Sequence, residues 1–189
     1  MKALLSTYPG GPDSLIFKEI ETPHPKSGEV LIKVKAAGVN FPDTLIIRDL
    51  YQIKPQRPFA PGGEISGVIA AIGADVNNFS EGDRVVATPG FGGFATHILV
   101  PVSKITKIPD SMPFEDAACF IFTYATSHYA LRDRAQLETG ETLLITGAAG
   151  GVGVAAIEIG KAIGAKVIAA VSSSKKADFC KEIGADETI

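Results

Sequence analysis

The sequence predicts two architectures in one chain: a mostly antiparallel β barrel or sandwich from Met1 to about Ile108, then an α/β unit on a parallel sheet. Three observations carry this. Short apolar stretches alternate with Gly and Pro clusters as far as Ile108, which is how short strands joined by turns read. The rhythm changes after Pro109. From Glu138 the pattern becomes strand, glycine turn, helix, strand, helix, strand, the order of a parallel sheet with crossover helices.

Strands are expected over 30–37, 65–72, 84–87 and 95–100, with turn signals at Thr22 to Gly28, Pro61 to Gly63 and Ser80 to Asp83 between them. A short helix over 44–49 follows Pro42, with Asp43 as its cap. Ser111 can cap a helical connector that starts near Pro113, carries Glu115 and Asp116 at its positive end, and lacks interior Pro or Gly from 114 to 131. Beyond it, Leu143 to Ile145 reads as a buried strand, the next helix stops near Gly164, a strand covers 166–171, a helix 175–183, and a third strand begins at Glu187. Three parallel strands leave one sheet edge to be paired or protected, so the second region reads as half of a mononucleotide-binding domain. The domains expected are 1–125 and 126–189.

The 189 residues carry 18 basic and 21 acidic side chains, a formal charge of −3, with 46% hydrophobic and 21% charged residues. That is globular composition, and a folded chain of this size buries about 70% of its extended surface. No basic footprint for nucleic acid is present. Cys119 and Cys180 form no CxxC pair, and neither a signal peptide nor an apolar run long enough for a membrane span is found, so a cytoplasmic protein with reduced thiols is expected.

The turn Gly147, Ala148, Ala149, Gly150, Gly151, Val152, Gly153 falls between a predicted strand and a predicted helix. Small residues there let backbone approach a pyrophosphate, and the helix N-terminus offers unpaired N–H groups and a positive dipole. The pattern Ala148-x-Gly150-x-x-Gly153 has alanine for the first glycine of the dinucleotide fingerprint. A P-loop needs Gly-Lys-Ser/Thr, and Lys161 is followed by Ala162, which disfavours ATP.

Cofactor choice is written after the second strand. An NAD site places Asp or Glu there for the ribose hydroxyls; this chain has Ser172, Ser173, Ser174, Lys175 and Lys176. Hydroxyls and ammonium groups suit a 2′-phosphate, so NADPH is expected. The competing reading makes the serines a helix cap and the lysines solvated, and the two are compatible.

Ala36 to Asp43, Pro61 to Ile69, Gly82 to Val85 and the glycine turn together resemble the medium-chain dehydrogenase/reductase superfamily, in its zinc-free, NADPH:quinone oxidoreductase (zeta-crystallin-like) branch. The resemblance implies a GroES-like β-barrel domain followed by an incomplete Rossmann-type parallel sheet. It also implies a usual chain that continues past Ile189 and forms a homodimer at full length. At the positions where zinc-containing relatives hold the metal stand Asn40, Gly63 and a residue near Phe122; the cysteine-rich structural lobe is absent, and no metal is expected.

Further site residues follow from the same resemblance. Asn40 can donate to a substrate carbonyl, Tyr51 is the nearest phenol, and Thr123 with Tyr124 is expected beside the nicotinamide. Glu64 is expected to orient backbone or to sit near the vacated metal position, and Phe91 to Phe94 to wall an apolar cleft between the domains. Quinones and conjugated enones accept hydride without a Lewis acid, so they are the expected substrates. The alternatives are an enoyl thioester reductase of the same superfamily, which calls for a basic patch, and a truncated chain that binds nucleotide without turnover.

Overall fold

The computed structural model describes residues 1–189, which divide into two compact units, Met1–Cys119 and Phe120–Ile189.

In the first unit β1 (Lys2–Leu5) and β2 (Ile16–Glu19) form an antiparallel pair. Then come β3 (Glu29–Gly38), α1 (Phe41–Ile46), β4 (Glu64–Ile72), β5 (Arg84–Ala87), β6 (His97–Pro101), β7 (Ile105–Lys107) and α2 (Phe114–Ala117). The main antiparallel sheet has the order β6-β3-β4-β5-β7. Its inward side chains alternate along the strands as half-buried strands require: Val30 and Ile32, Ile65 and Ile69, Val85 and Val100 are all inaccessible.

The expected barrel does not close. β6 pairs only with β3 and β7 only with β5, which leaves two edges. β7 is three residues long, and Pro109, two residues beyond it, has no N–H to extend a ladder. The β1–β2 pair is absent from the sequence reading because every residue of β2 is exposed, so no alternation marks it.

α1 begins earlier than expected, with Asn40 and not Asp43 at its cap position. The connector also departs from one continuous helix: α2 stops at Ala117, and its cap position is Pro113, so Ser111 does not cap it. In the second unit two π-helical segments, Ile121–Ala125 and Tyr129–Arg134, flank α3 (Thr126–His128). Aromatic and β-branched side chains at 120–124 crowd a normal α turn.

The second unit continues with β8 (Thr142–Thr146), α4 (Gly151–Ile163), β9 (Lys166–Ala170), α5 (Ser174–Ile183) and β10 (Glu187–Thr188). Its parallel sheet has the order β10-β9-β8. Ile145, Ala148, Ile157, Val167, Ala169 and Cys180 form its core. Gly160 lets α4 close on the sheet, since a Cβ there would meet Leu143 at 2.9 Å and Val167 at 3.1 Å. Asp186 then joins three elements, accepting from Lys161 Nζ (2.7 Å) and from the backbone N–H of Val167 (2.6 Å). These donors, the lysine first, hold its carboxyl below the usual range. No helix is long and apolar enough to cross a membrane.

Candidate functional site

The turn between β8 and α4 is built for close backbone approach. Gly147 has φ +63°, Gly150 is extended at the cap position, and no side chain caps the helix. The first ladder bond of α4 runs from Val154 N–H to Gly150 C=O at 2.8 Å. The N–H groups of Gly151, Val152 and Gly153 precede it, so helix geometry supplies them no intrahelical acceptor, and the dipole adds partial positive charge there. Gly153 is buried against the turn: a Cβ on it would lie 2.6 Å from the Ala148 carbonyl oxygen.

A cleft of about 570 Å³ opens beside this turn, at the carboxyl ends of β8 and β9. Gly147, Ala149 and Gly150 line one side; Ala170, Val171, Ser172 and Lys176 line the other. Lys176 Nζ donates to Ser172 Oγ at 3.1 Å, which holds the ammonium over the cleft. No carboxylate lines it.

The other residues singled out at the turn take different places. Ala148 is inaccessible and sits in the core, while Gly151 and Val152 are exposed. Ser173 caps α5, its Oγ accepting from Lys176 N–H at 3.4 Å, and Lys175 is solvated.

Thr123, in the first π-helical segment, lies against the start of α4; a Cβ on Gly151 would meet its methyl at 3.0 Å. Two contacts unread in the sequence fix this arrangement. Buried Ser127 donates to Val152 C=O at 2.7 Å, and Tyr124 OH donates to Glu158 Oε2 on α4. The second pushes the Tyr124 phenol up to about 12, first through that hydrogen bond, then through partial burial and the carboxylate's charge. A raised phenol value stabilises the fold below the ordinary value near 10, and that contribution is lost as pH rises through about 12. Absorbance titration is expected to show a tyrosine step near pH 12 that vanishes in Tyr124→Phe and moves down toward pH 10 in Glu158→Ala; an unmoved step in both variants would contradict the pairing.

Asn40 and Tyr51 belong to the first unit. Asn40 heads α1, and its Nδ2 is buried with no hydrogen-bond partner. Tyr51 packs against Ile46, Ile47 and Phe59. Glu64, at the start of β4, is fully buried, and its charge adds to the burial that pushes the Cys119 thiol up. Asp43 is not the cap: it sits at the third position of α1, where its Oδ2 accepts from Asn40 N–H at 2.8 Å, and its Oδ1 accepts from Gly62 and Gly63 N–H at 3.0 and 3.2 Å. The Asn-x-x-Asp spacing, a variant of the capping box, was the available signal.

Residues 26–110 match the alcohol dehydrogenase GroES-like domain family, and residues 151–189 match the zinc-binding dehydrogenase family. The chain is 38% identical over 177 residues to quinone oxidoreductase-like protein 2 of Bos taurus, covering 93% of this chain and 50% of that protein. Among solved structures, the quinone oxidoreductase of Pseudomonas syringae pv. Tomato DC3000 matches with a TM-score of 0.95 at 39% identity, over 100% of this chain and 58% of that one. The Escherichia coli quinone oxidoreductase complexed with NADPH matches with a TM-score of 0.95 at 32% identity, over the same shares. The chain spans about half the length of the curated relatives it matches.

The chain belongs to the medium-chain dehydrogenase/reductase superfamily, in its quinone oxidoreductase-like group. Asn40, Gly63 and Phe122 offer neither thiolate, imidazole nor carboxylate, and no group of three or more His, Cys, Asp or Glu is placed to hold a metal ion.

Proposed function

We propose that this chain carries the nucleotide site and substrate-facing residues of a zinc-independent, NADPH-dependent oxidoreductase that delivers hydride to quinones or conjugated enones. The observation that carries the reading is the cleft at the glycine turn, closed opposite by Ser172 and Lys176 with no carboxylate among its lining residues. A nicotinamide dinucleotide, when bound, supplies the hydride. The protein's own residues bind and orient. Backbone N–H groups of Gly151 to Gly153 hold the pyrophosphate, with Gly147, Ala148, Ala149 and Gly150 shaping the turn that presents them, the Gly150 N–H donating to the Gly147 carbonyl at 3.0 Å. Ser172 and Lys176 hold the 2′-phosphate, and Ser173 fixes the helix start from which Lys176 projects.

In this reading Thr123, packed against the start of α4, flanks the reactive ring, Asn40 Nδ2 donates to the acceptor carbonyl, and Tyr51 supplies a phenol from the same unit as Asn40. Donors aimed at the oxygen where charge develops take the part a Lewis acid has elsewhere. Residues 1–125 serve as the substrate domain and 126–189 as the nucleotide domain. Cys119 and Cys180, which form no disulfide, suit a reducing cytoplasm, and a homodimer is the assembly proposed by family resemblance.

The test follows NADPH oxidation at 340 nm with 9,10-phenanthrenequinone, using the 189-residue chain and a C-terminally extended form, each with and without a strong chelator. Turnover unaffected by chelation is expected. Turnover by the extended form alone assigns the 189 residues to binding without catalysis. Loss of activity on chelation, restored by zinc, refutes metal independence, and failure of both forms to bind NADPH refutes the whole reading.

A further inference from the structure

We propose that Asp43 is the positioning residue of the Asn40 donor, holding that carboxamide in place through backbone and not through its own contact with substrate. This rests on the reading of Asn40 as donor to the acceptor carbonyl. A helix cap needs one acceptor for one N–H, but this carboxylate does more. It is 6% exposed and accepts three backbone N–H groups from two segments that lie 19 residues or more apart, Asn40 at the start of α1 and Gly62 with Gly63 in the turn before β4. Bonds to a charged acceptor are the strong ones, so the two segments are held as one body.

The turn end of that body is itself tightly fixed. Gly62 has φ +97°, and a Cβ on it would lie 2.6 Å from the Phe94 backbone N; one on Gly93 would lie 2.7 Å from the Gly62 carbonyl oxygen. Asp43 transfers this rigidity to the Asn40 backbone. At the other end Asn40 Nδ2 is buried without a partner. Nearly all buried polar groups in native proteins are satisfied, and a buried amide left open beside a rigid support is a donor kept for something that arrives.

A double-mutant cycle tests this on whichever form is active, with kcat for 9,10-phenanthrenequinone and NADPH affinity read separately. Asp43→Asn keeps shape but replaces one acceptor oxygen with a donor, and is expected to lower kcat roughly 10- to 100-fold, as sub-ångström misplacement does, with NADPH affinity unchanged within about twofold. In an Asn40→Ala background the same change should cost less than about threefold, because residues acting through one another are non-additive. A full Asp43→Asn loss on top of Asn40→Ala overturns the proposal. Wild-type turnover by Asn40→Ala alone removes the donor reading, and this proposal with it, while leaving the nucleotide site intact.

An arm without activity uses the side-chain amide protons of Asn40 in NMR. Their chemical shifts should move in Asp43→Asn while the amide shifts of Gly150 to Gly153 stay put; Asn40 side-chain resonances that do not move overturn the proposal. Where Asp43→Asn does not fold, the unaltered chain decides. One carboxylate holding three N–H groups requires Asn40, Gly62 and Gly63 to exchange through one opening, and a glycine amide exchanging roughly 100 times faster than Asn40 overturns it.

Discussion

Replacing Gly153 by alanine will lower NADPH affinity by roughly 100-fold and destabilise the second unit by about 1–3 kcal/mol. The added Cβ would meet three backbone atoms of Ala148 at 2.6 to 2.7 Å, and backbone cannot rotate aside as a side chain can. The turn must therefore lift from the helix. Moving it misaims the N–H groups of α4, and losing two charge-assisted bonds at about 1.5 kcal/mol each is about 3 kcal/mol, which is the 100-fold. Gly150→Ala is the control for stability: its Cβ would meet nothing nearer than the Gly147 carbonyl oxygen at 3.4 Å, so the melting temperature should stay close to wild type. Calorimetry and a fluorescence titration on both variants check the pair. Equal melting temperatures would show that the Ala148 contact does not constrain the turn.

Lys176→Ala will weaken NADPH binding about tenfold or more, a loss of about 1.5–3 kcal/mol, while leaving NADH nearly unaffected. The ammonium lines the cleft and is held by Ser172 Oγ at 3.1 Å, so it is partly pre-aimed. Lys176 is exposed, and the preference should therefore shrink as salt is raised. Lys175→Ala, at a solvated position outside the cleft lining, should have the smaller effect. Equal losses for both coenzymes in Lys176→Ala would contradict the assignment of the 2′-phosphate to this side of the cleft.

Which parts of the structure could be read from sequence follows from how local their signals are. The strand, glycine turn and helix around Gly150 are one contiguous segment in which apolar run, small residues and helical period succeed each other, and β8, α4, β9 and α5 all form there. β3 to β6 were legible for the same reason, each being an alternating run between turns. β1–β2 pairing was not, since Ile16 and Phe17 face solvent at 44% and 70% exposure and imitate no buried strand. Barrel closure depends on which edges meet, and no local pattern encodes it. The π-helical segments add a residue per turn to an otherwise helical run, which a period of 3.6 cannot distinguish.

The candidate site divides along the same line. Ser172 and Lys176 sit four residues apart across a helix start, so their shared cleft could be anticipated. Asp43 could not be placed, because its bonds to Gly62 and Gly63 span a loop whose path sequence does not state. Nor could the pairing of Tyr124 with Glu158, 34 residues away on another helix.

A titration of the 15N-labelled chain with NADPH, followed by amide NMR, addresses the grip of the α4 N-terminus on a diphosphate. Large, saturable shifts are expected at Gly150, Gly151, Val152 and Gly153, with Ser172 and Lys176 moving at the same concentrations. Saturable binding that leaves those four amides in place and shifts resonances elsewhere would contradict it.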